Sequence, residues 1–204
     1  MNPKKLNKKP QQKELSLKTQ YKKAWSYLKE TLPSIYIIIA IFFLFSFLGY
    51  ILAPYLSFLD EVLKNLVKQA EGLNAIEMIV FILQNNLQSA LLSFFLGFFL
   101  GIFPVLGAAT NGLILGYVLN LATAKAGPLV ALKLFPHGIF ELPAIFISMG
   151  LGLKLGATFL TQTKNLKTEL KRRFFSSANV LLRIVIPLLI LAAIIEGLLI
   201  IFIG

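Results

Sequence analysis

The chain has 204 residues, 57% of them hydrophobic and only 14% charged, with a mean hydropathy of +0.78; soluble globular domains carry about 25% charged residues, so an ordinary soluble fold is excluded. Cysteine is absent, which rules out disulfides and thiolate metal sites and leaves the redox compartment unread. The net charge of +11 is concentrated: nine of the 20 basic residues are lysines before residue 30, and five more lie between Lys164 and Arg173. Both clusters flank apolar blocks, so anionic lipid headgroups explain them more simply than nucleic acid does.

Residues 1–15 are rich in Lys, Gln and Asn without apolar periodicity and read as disordered. From Ser16 a basic amphipathic helix is expected, with Leu17, Tyr21, Ala24, Trp25 and Leu28 at helical spacing. It either lies along the inner headgroup region or packs on the protein's own cytoplasmic face. The start is not a signal peptide, since the first apolar block begins only after residue 32 and no small-residue cleavage pattern precedes it.

A membrane span needs roughly 20 apolar residues, and five blocks qualify: about 33–56, 78–101, 104–123, 136–159 and 180–203. Pro33 suits the first position of its helix. Residues 57–77 form a polar, partly helical connector, and 128–135, too short to span, is a candidate re-entrant segment before span four. The fold expected is therefore all-α, a polytopic transmembrane helical bundle at 33–204 behind a basic arm at 1–32. Lys and Arg in short loops set orientation. Placing the N-terminus in the cytoplasm and the C-terminus outside puts both basic clusters inside and leaves Lys64, Lys68, Lys125 and Lys133 outside. The location expected is a cell membrane, crossed several times.

Small residues carry helix packing in lipid. Three GxxxG pairs, Gly97/Gly101, Gly112/Gly116 and Gly152/Gly156, fall on spans two, three and four, which points to one tight bundle of those spans. Polar residues at depth are expensive and mark a site or a hydrogen-bond network. Asn85, Asn86 and Gln88 lie on span two, Asn111 and Asn120 on span three, His137 and Glu141 on span four, and Glu196 on span five. Apart from mid-depth Asn111, the topology gathers these residues in the outer half, as an outward-facing pocket or network.

His137 and Glu141 are four apart and share a helical face. Three uses are open to them: a structural hydrogen bond to Asn85 or Asn86, a protonation switch or ligand contact, and a metal site, which with one His and no Cys would need oxygen ligands. No metal or other cofactor is expected. Glu196 is neutral, paired with another span, or at an oligomer contact.

The Asn85-Asn86 pair, Gly97 and Gly101, Asn111-Gly112, Gly116, the block Pro136-His137-Gly138-Ile139-Phe140-Glu141-Leu142-Pro143-Ala144, and Gly150, Gly152 and Gly156 together form a pattern. Over roughly residues 30–203 the chain resembles the stage II sporulation protein M family. The resemblance implies a multi-span membrane protein without an established enzymatic activity. In endospore-forming bacteria the named member acts in engulfment, within a membrane complex that includes cell-wall hydrolases; relatives also occur in organisms that never sporulate.

Three functions compete. A non-catalytic scaffold or complex subunit, a homo-oligomer or bound to a protein partner, fits the packing glycines and the resemblance. A small transporter or channel subunit would use the Asn/His/Glu cluster. An intramembrane hydrolase lacks HExxH, GxSxG and a carboxylate beside Glu141, although Ser89, Ser93 and Ser148 are present. The expectation is the first.

Overall fold

The computed structural model describes the backbone of residues 16–161 and 164–203, and the side chains of these except at 75, 130–138, 140 and 199–203. The reading of 1–15 as disordered lies outside the described residues. The elements in chain order are α1 (Leu17–Ile51), α2 (Leu59–Ala70), α3 (Ala75–Leu96), α4 (Ile102–Ala126), α5 (Ala131–Gly156), α6 (Leu166–Val180) and α7 (Ile186–Ile203), and no strand forms among the described residues. Five stretches are long and apolar enough to cross a membrane: Leu17–Ile51, Ile76–Leu96, Ile102–Ala126, Glu141–Leu160 and Leu166–Leu198. The fold is an all-α helical bundle.

Local chemistry sets where the helices begin. Ser16 caps α1 by accepting from the Thr19 amide. At α3, Asn74 Oδ1 accepts from the Ile76 and Glu77 amides at 3.0 Å each, while the Asn74 amide donates to Glu77 Oε2 at 2.9 Å. This reciprocal box satisfies donors that a helix start leaves orphaned. The turn between α3 and α4 is tight: Leu100 and Gly101 both have positive φ, 56° and 73°. Gly101 adopts that conformation freely and Leu100 only under strain. Gly101 is thus the left-handed cap of α4 rather than part of span two.

Two prolines do not act as the helix starts they resemble. Pro33 lies inside α1, which runs unbroken for 35 residues, about 52 Å at 1.5 Å per residue. The section before Pro33 is held by α6: Ala24, Tyr27, Leu28 and Thr31 are buried, Asn179 Nδ2 donates to the Gln20 carbonyl at 3.0 Å, and Arg172 reaches Glu30 at 3.5 Å. Tertiary packing thus offsets the single backbone bond a proline removes. Pro136 lies inside α5, which follows a 3₁₀ turn at Pro128–Val130 and continues to Gly156. From Ala131 the segment before span four is continuous with α5 rather than a separate short helix.

Helix α5 is the hub. The most apolar window of its span is 56% buried, against at most 33% for the other four, and it packs on α1, α3, α4 and α7. The most extensive helix pair is α1 with α4. These two run parallel, since Gly112 lies on the Phe42 backbone, Gly116 on that of Ser46, and Gly49 on that of Leu113. The partner of the Gly112/Gly116 pair is thus span one, not spans two and four. The other glycines do meet each other: Gly97 lies against Gly152, and Gly156 against Gly97 and Gly101. Side-chain size explains the sorting, because only glycine lets backbones touch in this way.

With α1 parallel to α4 and antiparallel to α5 (Ile35 on Gly150, Thr31 beside Lys154), the α3–α4 turn, the end of α5 and the start of α6 share one end. The described members of both basic clusters (Lys18, Lys22, Lys23 and Lys29 of the first, Lys164 to Arg173 of the second) fall there, and it is called the basic end below. At the opposite end the short helix α2 docks on α4, where the buried Tyr117 hydroxyl donates to Asp60 Oδ1 at 2.6 Å. Tyr117→Phe should leave the bundle intact but release α2, read as severalfold faster hydrogen exchange confined to residues 59–70.

Candidate functional site

Helix α3 separates its amides. Asn86 is only 5% exposed, and among the described residues its Nδ2 has no hydrogen-bond partner. It stands one turn from Ala90, whose carbonyl accepts from the buried Ser148 of α5. Asn85 and Gln88, by contrast, are exposed, as is Asn111 of α4. Gly107 of α4 faces Ser93 of α3. These helices run in opposite senses, so one turn further along each brings Ser89 level with Asn111. Gln88 and Asn85 lie about 12 and 16 Å from the end of α3, and Asn111 about 14 Å from the start of α4. All three stand near the middle of their helices, so a hydrocarbon core about 30 Å thick centred on α3 and α4 puts them near mid-depth, deeper than the outer half expected for Asn85 and Gln88.

The remaining polar residues do not join a single network with these. Asn120 donates to the Tyr50 carbonyl at 3.0 Å, and the Tyr50 hydroxyl is 3.3 Å from Thr123 Oγ1. Asn120 therefore belongs to the α1–α4 clasp. Glu141 of α5 and Glu196 of α7 are half-buried on helices that touch. The His137 side chain lies outside the described residues, and so does the pairing of His137 with Glu141. Among the described residues no three His, Cys, Asp or Glu side chains come together as a metal would require. The outward-facing pocket of the sequence reading thus resolves into a buried amide, exposed amides on α3 and α4, a helix clasp and two half-buried carboxylates on separate helices.

A second polar constellation, at the basic end, escaped sequence reasoning. Lys154, near the end of α5, lies 3.6 Å from Glu30 and 4.4 Å from the centre of the Tyr27 ring. Arg173 donates to the Lys154 carbonyl at 2.8 Å and to Glu169 at 2.7 Å. Arg172 donates to both Glu169 oxygens at 2.9 Å. Arg173 therefore serves a carbonyl in the last turn of α5, to which Thr158 Oγ1 also donates at 3.4 Å. The available signal was a lone lysine in the apolar run of span four and an acid, Glu30, close before span one in a stretch otherwise dominated by lysine.

Helix α6 is 15 residues and α7 a further 18. Together they exceed an apolar core about 30 Å thick, so the charged start of α6 lies beyond the core. There, hydrogen bonds from Arg172 and then Arg173 hold the Glu169 carboxyl down at about 2, from an ordinary 4.5. A depressed carboxyl stabilises the fold above its unfolded value and loses that contribution as pH falls. Thermal stability should therefore drop between about pH 4.5 and 2, and Glu169→Gln should flatten that part of the profile.

A family model described as Stage II sporulation protein M matches residues 38–199. No curated protein and no solved structure matches the chain.

Proposed function

We propose, from the premise that this chain belongs to the Stage II sporulation protein M family and is a multi-pass membrane protein, that it is a non-catalytic subunit of a membrane complex, assembling with a second copy or a protein partner through the exposed face of α3 and α4. One observation carries this reading: three amides, Asn85, Gln88 and Asn111, stand exposed near mid-membrane depth on neighbouring helices. An amide facing hydrocarbon leaves several hydrogen-bonding groups unsatisfied, whereas one facing another helix finds partners there. The orientation that goes with this is N-terminus in the cytoplasm and C-terminus outside. The clustering of Lys and Arg at one end of the bundle supports it.

The test is gentle purification from native membranes, with mass measurement of the assembly and identification of whatever co-elutes. Replacing Gln88 and Asn111 together with leucine should give a protein as heat-stable as the parent but reduced to a lone subunit. An unchanged assembly in that variant would contradict the reading.

A small transporter is the competing function, and the observation favouring it is the half-buried pair Glu141 and Glu196 on touching spans. Polar solute or proton flux in liposomes, abolished by Glu141→Gln, would support it over assembly; no flux under pH or ion gradients would count against it.

A further inference from the structure

Between the first turns of α1 and the first turns of α7 lies an open groove of about 690 Å³, within the range of small-molecule sites. Its walls are apolar, formed by Leu28 of α1, Ile147 of α5, and Pro187 and Leu191 of α7. Its polar lining is different in kind: Lys22 and Arg183 are cationic, and no acidic side chain among the described residues lines it. Tyr21 and Trp25 stand beside these cations, about half-exposed.

Arg183 is the informative member. It sits in the π turn Leu181–Val185 that joins α6 to α7, a local irregularity that often accompanies function. Among the described residues its Nε is buried without a hydrogen-bond partner, and its guanidinium lies 5.9 Å from the Tyr21 ring. Arg172 and Arg173 are paired with Glu169, but no described carboxylate pairs with Arg183. A planar guanidinium matches a phosphate. Tyr and Trp gather at the headgroup level of a bilayer, and the apolar walls suit an acyl chain.

We propose that this groove binds one anionic phospholipid, its phosphate on Arg183 and Lys22 and an acyl chain along Leu28, Ile147 and Leu191. The proposal is independent of the α3–α4 assembly face, which lies on other helices.

The experiment is native mass spectrometry of the full chain released from nanodiscs, using phosphatidylglycerol and phosphatidylcholine as probes. Phosphatidylglycerol should remain bound where phosphatidylcholine does not. Arg183→Gln should weaken retention about tenfold, the equivalent of losing a charged hydrogen bond. Leu191→Trp, which fills the groove and keeps both cations, should weaken it comparably and keeps the test open should Arg183→Gln fail to fold. Lys68→Gln, at the opposite end, should change nothing. Equal retention of the two lipids, full retention in Leu191→Trp, or equal loss in Lys68→Gln would overturn the proposal. So would inorganic phosphate raising the melting temperature as much as phosphatidylglycerol does, since that would mean a free-anion site.

Discussion

Gly116→Val should all but eliminate folded protein, lowering stability by about 3 kcal/mol or more, the upper end for overpacking. A Cβ at 116 would run into the Ser46 carbonyl oxygen and approach the Tyr50 backbone nitrogen at 2.7 Å. Both are backbone atoms of α1, so no rotamer change relieves the clash and the helices must separate. Separation also opens the contacts at Gly112 and Gly49 and the Asn120–Tyr50 and Tyr50–Thr123 bonds. The informative contrast is Gly107→Ala on the same helix. There the added carbon meets the end of the flexible Met149 side chain at 3.3 Å, and the loss should stay within about 1 kcal/mol. Size-exclusion profiles and melting temperatures in mild detergent read both. Equal losses at the two positions would show that close approach to α1 is not what Gly116 provides.

Arg173→Gln should cost about 2–3 kcal/mol, and its neighbour Arg172→Gln less than about 1. The side chains look equivalent in sequence, but Arg173 is 15% exposed and Arg172 48%. Arg173 joins the end of α5 to α6 through the Lys154 carbonyl and Glu169, so its removal leaves a half-buried carboxylate and a helix-end carbonyl without that donor. Arg172 shares the same carboxylate from the solvent side, where ion pairs are screened and weak. Unfolding followed by heat in detergent at neutral pH separates the two. A larger loss at 172 than at 173 would contradict this ranking.

The spans were legible because a membrane crossing is a property of run length alone: an apolar block of 20 residues declares itself without knowledge of its neighbours. Partners were not legible in the same way. Gly112 and Gly116 announced close packing, but nothing in their spacing distinguishes α1 from α3 or α5 as the helix approached. Pro33 carried the ordinary signal of a helix start, and the contacts of Tyr27, Glu30 and Gln20 with α6, distant in sequence, carry α1 through it. Asn85 and Asn86 are adjacent and chemically identical. A rotation of about 100° per residue leaves one buried and the other exposed, and which is which depends on the packing of α3 against α5 and α7. The site reading grouped by depth what the helices separate by direction.

The most direct test of assembly through the α3–α4 face is site-specific cross-linking in native membranes. The chain has no cysteine, so a single Gln88→Cys or Asn111→Cys substitution can carry a benzophenone maleimide without background. Assembly through this face predicts a discrete higher-mass adduct from both positions on illumination, and none from Leu44→Cys on the exposed side of α1. Lipid adducts alone at 88 and 111, or the same protein adduct from position 44, would contradict it.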